Sequence, residues 1–224
     1  MGAEVSGNPA HTAIYTPGVL PSDPGSFTAG PDFEVGDDPS DSSAALLSSG
    51  DALIATSSGQ FYEFDGLTLS VTGSLPTDGG NLEYFVLPLP NGQALVTGGV
   101  TWVYDGAGSL NPAWTPTITA APATVQRGST YVISGTQFNG LSQAADVGDE
   151  LDAATNYPLV RITNQASGHT VYARTHGHST MGVATGNSIV STSFDVPTNT
   201  ETGASSLVVV ANGIASAPVI IQVN

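Results

Sequence analysis

The hydrophobic residues of this chain lie in short runs separated by glycine, proline and small polar residues. In the second half, apolar and polar residues alternate around Tyr131 and Ile133, and further short runs follow at regular spacing, at 159–162, 169–172, 191–196, 206–210 and 219–223. Alternation with a period of two over short runs is typical of half-buried β-strands. The pattern therefore predicts a β-sandwich in the second half of the chain.

The first half contains one strand pattern twice. Segments Ala44–Gly66 and Phe85–Gly106 each hold an apolar strand, a glycine turn, a second strand and an aromatic strand that ends in Asp-Gly. The turn glycines, Gly50 and Gly92, are 42 residues apart, and the Asp-Gly pairs are 40 residues apart. A period of about 40–50 residues with four short strands per unit is typical of β-propeller blades.

An earlier, incomplete unit precedes these two. Segment His11–Gly18 matches the aromatic strand of the repeat, with Tyr15 at the position of Phe64 and Tyr104. We therefore expect two blades and a fragment. Two blades cannot close a ring, because their inner faces would stay open to water, so we expect other copies of the chain or a partner chain to complete the propeller.

Composition supports an all-β protein, because 27 glycines and 15 prolines leave no stretch suited to a long helix. The chain has 19 acidic residues, three arginines and no lysine, and 13 of the acids lie in residues 1–112, which contain no basic residue. We place a domain boundary here, between 1–112 and 113–224. Nucleic acid is excluded as a partner, because phosphate binding needs a basic surface.

Targeting signals and cysteines give little further information. The chain has no cysteine, so neither disulfides nor thiolate metal sites are expected. The first residues show no basic and apolar signal-peptide pattern, and no segment approaches the roughly 18 apolar residues of a membrane span. We expect an extracellular or particle-surface location, reached by a route that is not visible in this sequence.

The repeat and the second half together resemble a known family. Segment "LPNGQALVTGG", Leu89–Gly99, resembles kelch repeats, and the runs "GTQFNGLSQAADVGDELDAATNYPLVRIT" and "GHTVYARTHGHSTMGVATG" resemble the C-terminal domain of bacterial kelch proteins related to galactose oxidase and glyoxal oxidase. The resemblance implies two kelch-like blades followed by an immunoglobulin-like (E-set) β-sandwich over 113–224. The number and spacing of the predicted strands agree with such a sandwich.

The same resemblance implies a role for one histidine. In those oxidases a histidine of a Thr-His pair ligates copper at the centre of the propeller, and the matching residues here are Thr175 and His176. The oxidases also need a tyrosine cross-linked to cysteine and further propeller ligands, and this chain has no cysteine. We therefore expect no radical-copper cofactor from this chain alone, and a scaffold that has acquired another role.

His176 and His178 are the candidate metal ligands. Side chains two residues apart on a strand share a face, so both imidazoles could hold one copper, nickel or zinc ion. The alternative is that His176 bonds within a turn-rich loop while His178 meets solvent or a domain interface. Gly177 and Gly182 favour a bend that separates the rings, so we expect no metal to be needed.

Two acidic segments and four aromatic residues are further candidates. Segment 34–41, with Glu34, Asp37, Asp38 and Asp41, could bind calcium but lacks the spacing of an EF-hand and is expected to be a solvated loop. Segment Asp146–Thr155 is ambiguous in the same way and is the one candidate for a short helix. Aromatic side chains could stack on sugars, but we expect them to belong to the cores of the blades and of the interface. These aromatics are Tyr62, Tyr84, Trp102 and Trp114.

No catalytic motif emerges from these patterns. The chain shows no nucleophile elbow, phosphate-binding loop or glycosidase-like carboxylate pair. We predict a non-catalytic structural or adhesion protein, for example a virion fibre or decoration protein, that acts by self-assembly or partner binding. The alternatives are the C-terminal part of a copper oxidase and a carbohydrate-binding module that recognises cell-surface glycans.

Overall fold

The predicted all-β class is confirmed: strands carry nearly all the regular structure of the described residues. The structure is a computed structural model, and it describes residues 2–3, 9–20, 22–39, 42–75, 84–106, 108–141, 145–146 and 157–224. One short 3₁₀ helix, Pro112–Trp114, separates the repeat-containing half from the rest. The helix expected within Asp146–Thr155 lies outside these residues, except that Asp146 ends a short strand.

Three small antiparallel sheets form the first half. The first sheet has the order β1-β2-β3, the second contains β4-β5-β6-β7 and the third has the order β10-β9-β8. Their strands are β1 (Gly2–Ala3), β2 (Thr12–Thr16), β3 (Ser26–Ala29), β4 (Ala44–Leu46), β5 (Ala52–Ala55), β6 (Gln60–Phe64), β7 (Leu69–Ser74), β8 (Phe85–Pro88), β9 (Ala94–Gly98) and β10 (Val100–Tyr104). The first three strands of each repeat, including the aromatic strands β6 and β10, are present. The second sheet adds a fourth strand, β7, whereas the third sheet has three strands among the described residues.

The second sheet is covered on both faces because successive side chains of a strand point to opposite sides. On one face, Leu53 and Phe61 pack against buried residues of the third sheet, among them Val96. On the other face, Ile54 and Tyr62 pack against residues that flank the first sheet, Ala10 and Phe33. The rings of Phe33 and Tyr62 meet edge to face with centroids 5.0 Å apart. The three sheets therefore form a stack.

One sheet of nine strands forms the second half. Its strands are β11 (Thr117–Ala120), β12 (Thr124–Val125), β13 (Thr130–Thr136), β15 (Leu159–Asn164), β16 (Thr170–His176), β17 (Val190–Asp195), β18 (Gly203–Ala211), β19 (Ile214–Ala215) and β20 (Val219–Val223). The order is β11-β13-β17-β16-β15-β18-β20-β12, with β19 beside β18. Strand β16 pairs with β15 up to Ala173 and with β17 from Arg174, so the sheet curls around one core.

That core holds thirteen buried residues, including Phe138, Phe194 and Leu207. They come from both ends of the strand order, from β13 and β17 as well as β18 and β20. The alternation seen in the sequence accounts for this arrangement: in β17, Val190, Thr192 and Phe194 are buried while the residues between them are half-exposed. These thirteen residues, all from the second half, form one cluster of their own.

The two halves meet at the two turn glycines of the repeat. The ring of Trp114 lies against Gly50, where an added Cβ would be 2.8 Å from the ring. At the equivalent turn of the next unit, Gly92 faces Gly213, and a Cβ on Gly213 would lie 2.7 Å from the Gly92 Cα. In addition, the short strand β14 (Ala145–Asp146) pairs with β4, so a segment from the second half extends the second sheet.

Candidate functional site

His176 and His178 lie where strand β16 ends. His176 is the last residue of the strand, and Gly177 follows with φ +60°. This left-handed conformation suits glycine and turns the chain out of the extended geometry that would keep the two imidazoles on one face. The bend expected between the two histidines is therefore present.

Each imidazole has its own partner on strand β17. His176 Nε2 is 3.0 Å from Asp195 Oδ1, and His178 Nδ1 is 2.9 Å from Thr192 Oγ1. Residues 192 and 195 are three apart on this strand, so their side chains point to opposite faces of the sheet. Two rings bound in this way do not form a preassembled two-nitrogen site.

The charges around His176 also favour a hydrogen bond over a metal ion. Asp195 accepts a hydrogen bond from Thr130 Oγ1 at 2.6 Å, and its other oxygen is 3.6 Å from Arg174 Nη1. The Thr130 bond, followed by the His176 bond, holds the pKa of Asp195 below its usual range. One imidazole, one carboxylate and a guanidinium do not suit copper, whose protein sites combine several nitrogen or sulfur donors.

His178 is in a drier environment. Its ring lies 6.1 Å from that of Tyr157, and burial, with a smaller contribution from His176, lowers the pKa of His178. Thr175, the other residue of the Thr-His pair, donates from Oγ1 to the carbonyl of Pro158 at 2.7 Å. No group of three or more His, Asp or Glu side chains that could hold a metal occurs within the described ranges. Metal binding by His176 and His178 stays a prediction.

The acidic segment 34–39 is more ordered than a solvated loop. Asp37 is buried, which corrects the sequence-based expectation, and Tyr62 donates to its Oδ2 at 3.0 Å. Thr56 Oγ1 lies 3.2 Å from the same oxygen, and the Asp38 amide donates to Oδ1 at 3.0 Å. Burial, then the bond to Asp37, raises the pKa of the Tyr62 hydroxyl. No local pattern of apolar and polar residues indicates which of the four clustered acids is buried.

The other members of that segment do not join Asp37. Asp38 contributes its backbone carbonyl, which accepts from the Ser57 amide at 3.0 Å. Glu34 is exposed, and Asp41 lies outside the described residues. The carboxylate of Asp37 already accepts hydrogen bonds on both of its oxygens. This arrangement fastens the loop to the second sheet and leaves no described cluster of oxygen ligands for calcium.

The four candidate aromatics separate into core and surface residues. Tyr62 and Tyr84 are buried, so their rings cannot meet a sugar. Trp102 lines a groove of about 220 Å³ between the second and third sheets, together with Phe61, Thr72, Leu75, Val96 and Tyr104. Trp114 is half-buried against Gly50.

Tyr104 links the two sheets at the end of this groove. Its hydroxyl donates to Glu63 Oε1 at 2.7 Å and lies 2.6 Å from Thr72 Oγ1. Burial is the main cause that raises the pKa of Tyr104 to about 12. Glu63 is half-exposed and belongs to β6, so this bond fixes the third sheet against the second. The spacing of the repeat identifies Tyr104 as the last aromatic residue of its unit. Its partners Glu63 and Thr72 could not be predicted, because only the stacking of the two sheets brings them close.

Comparisons with known proteins add only a weak structural likeness. No protein-family model matches the chain, and no curated protein matches it. Among solved structures, the chain is similar to domains 4 and 5 of the S-layer protein SbsC, at 14% sequence identity and a TM-score of 0.24. The likeness covers 80% of this chain and 93% of that one. It assigns no function to this chain.

Proposed function

We propose that this chain is a non-catalytic structural or adhesion component of an extracellular or particle surface, such as a virion fibre or decoration protein. The observation that carries the proposal is the stack of three sheets, which ends on both sides in a sheet with one apolar face exposed. Larger exposed apolar patches on folded domains commonly mark interaction sites. Association with other copies or a partner chain covers these faces.

The proposed architecture is two kelch-like blades and a fragment, followed by an immunoglobulin-like sandwich. Support comes from the second sheet, in which β4, β5, β6 and β7 are antiparallel neighbours in chain order. The third sheet has three strands with the same order of aromatic and apolar positions. The curled nine-stranded sheet with a single core supports the sandwich.

Charge fits a structural role. With a formal net charge of −16 and no lysine, the chain repels nucleic acid and other acidic polymers. Described carboxylates such as Asp37, Glu63 and Asp195 bond to neighbouring side chains and fix loops and sheets. None of them faces a nucleophile or a second carboxylate in an arrangement suited to acid–base catalysis. No helix within the described residues is long and apolar enough to cross a membrane.

The test is the assembly state of the purified chain. We expect light scattering and sedimentation at micromolar concentration to show oligomers whose size grows with concentration. A copy that stays monomeric and well folded over the whole range, in the absence of a partner, contradicts self-assembly. Association that appears only when a second protein is added would assign the role to a mixed assembly.

Glycan binding is the second candidate, and the groove beside Trp102 is the observation that favours it. The indole N–H of Trp102 makes no hydrogen bond with the described residues. Its side chain lines the same groove as Thr72 and Tyr104, whose hydroxyl oxygens are 2.6 Å apart. An aromatic face beside polar groups is suited to a sugar ring. Titration with neutral oligosaccharides, followed by the fluorescence of Trp102 in Trp114→Phe, should give saturable quenching. Trp102→Leu should abolish the binding heat that titration calorimetry measures for the unmodified chain.

A further inference from the structure

The repeat fixes which faces of the stacked sheets are equivalent. We call the face of each sheet that carries the last aromatic residue of its unit the leading face, and the opposite face the trailing face. Phe64 lies on the leading face of the second sheet and packs towards the first sheet. Tyr104 lies on the leading face of the third sheet and bonds to the second sheet. The leading face therefore points towards the preceding sheet in both cases.

The interface between the second and third sheets shows what a trailing face packs against. Leu53 and Phe61 lie on the trailing face of the second sheet and join one buried cluster with Val86 and Val96, which lie on the leading face of the third. Trp102, which pairs with Val96, belongs to the same leading face. Trailing face against leading face is thus the packing rule within the chain.

Within the described residues, no sheet packs on the trailing face of the third sheet. Leu87, Leu95 and Val103 form a row across its three strands, since Leu87 pairs with Leu95 and Leu95 with Val103. Leu87 is 40% exposed and Val103 is 55% exposed. By the repeat, Leu95 stands where Leu53 stands in the second sheet, and Leu53 is fully buried. The remaining residues of this face are uncharged, namely Phe85, Thr97 and Thr101.

The leading face of the first sheet likewise has no sheet packed on it in the part of the chain that the structure describes. Tyr15 and Phe27 are opposite each other on β2 and β3, and their ring centroids are 4.9 Å apart. They are 44% and 71% exposed. Tyr15 is the repeat equivalent of Phe64 and Tyr104, which are half-buried on the leading faces of their own sheets. Ala13 and Ala29, the neighbouring pair on this face, are also uncharged.

We infer that copies of this chain associate head to tail, with the Tyr15–Phe27 face of one copy packed on the Leu87–Leu95–Val103 face of the next. The occupant of each face is a second copy, because the contact continues the interface already formed between the second and third sheets. Each copy offers one face of each kind, so the interface is heterologous and generates a ring or a filament. This inference rests on the proposed function and names its contact surfaces.

The charge distribution distinguishes the proposed apolar interface from one that is held by ion pairs. Both faces lack charged residues, while the half of the chain that carries them has 13 acids and no base. Whole copies therefore repel one another at low ionic strength, and the faces attract by burial of apolar area. We expect association to strengthen as salt is raised, whereas an interface held by ion pairs weakens.

The decisive experiment is complementation between two variants. Val103→Glu blocks the trailing face and Phe27→Glu blocks the leading face, and each alone should lower the association constant by at least about thirtyfold, the loss typical of a hot-spot residue. In a mixture, the intact trailing face of Phe27→Glu meets the intact leading face of Val103→Glu. Sedimentation should then show a one-to-one dimer that does not grow with concentration.

Matched controls separate a blocked face from misfolding. The control for Val103→Glu is Val132→Glu, which changes a valine of β13 that is 59% exposed. The control for Phe27→Glu is Tyr172→Glu, which changes an exposed aromatic residue of β16. Both control variants should associate like the unmodified chain. If the two face variants still assemble like the unmodified chain, the face assignment is overturned while self-assembly stands. A mixture that remains monomeric also overturns the assignment. An unmodified chain that is monomeric at every salt concentration overturns both the assignment and self-assembly.

Discussion

The two halves of the chain bury their hydrophobic side chains in different ways. In residues 113–224, nine strands curl around one cluster of thirteen buried residues. In residues 1–112, the described core is divided into clusters of nine and four residues that lie between stacked sheets. A curled sheet can cover its own apolar face, whereas a stack covers only its inner faces. The second half therefore covers its own apolar core, whereas the outer sheets of the first half keep apolar side chains such as Phe27 and Val103 exposed.

The largest expected effect comes from separating the halves. Residues 113–224 should unfold cooperatively when expressed alone, because their core is complete. Residues 1–112 should show no cooperative transition, because they lose both the contacts at Gly50 and Gly92 and the pairing of β14 with β4. Thermal unfolding, monitored by circular dichroism, measures the cooperativity of each half. A cooperative transition in the first half alone, with none in the second, would show that the first half is the one that folds by itself.

Gly213→Ala tests the contact between the halves. Gly213 has φ +73°, and an added Cβ would meet the backbone of Gly92. Left-handed strain and overpacking together should lower the free energy of unfolding by about 3 kcal/mol. Hydrogen exchange should also become faster in the turn around Gly92.

Gly168→Ala is the matched control for this substitution. Gly168 has φ +76° with no atom near the added Cβ, so this change introduces the strain without the clash. It should cost about 1–2 kcal/mol and leave exchange in the first half unchanged. Equal costs for the two variants would show that the Gly92–Gly213 contact does not couple the halves.

Asp37→Asn tests the internal anchor of the first half. The substitution replaces an acceptor-only carboxylate that is approached by Tyr62, Thr56 and the Asp38 amide, so at least one hydrogen bond is lost or reversed. We expect unfolding free energy to fall by about 2 kcal/mol, as measured by denaturant titration of the whole chain. Asp38→Asn, in which only a side chain without such bonds changes, should have little effect. Equal effects of the two variants would mean that Asp37 acts through charge alone.

The smallest expected effect concerns His176. His176→Ala removes one bond to a half-exposed carboxylate, and Asp195 keeps its bond to Thr130. The melting temperature should therefore fall by no more than a few degrees. Chelation of the unmodified chain should leave the melting temperature unchanged. Stoichiometric copper that survives dialysis, with loss of stability on its removal, would contradict this prediction and favour an oxidase-like site.

The sequence by itself determined the class of the fold and the positions of most strands. Alternation around Ile133 and along β17, and the two copies of the repeat with Gly50 and Gly92 at equivalent turns, follow from local patterns that any β-structure with buried faces must obey. The bend after His176 was also predictable, since Gly177 lies between the two histidines. The absence of lysine and the acidic first half also led to the prediction that nucleic acid is not a partner.

Only the tertiary structure decided which side chains meet. Asp37 is one of four clustered acids in the sequence, and it is buried because the loop folds back onto Tyr62 and Thr56 from a later strand pair. Gly92 and Gly213 are far apart in the chain and touch only because the halves pack together. The exposed faces at Tyr15 and Val103 have the same local pattern as the buried faces of the second sheet. Local sequence sets which face of a strand is apolar, but the arrangement of neighbouring sheets decides whether that face is covered.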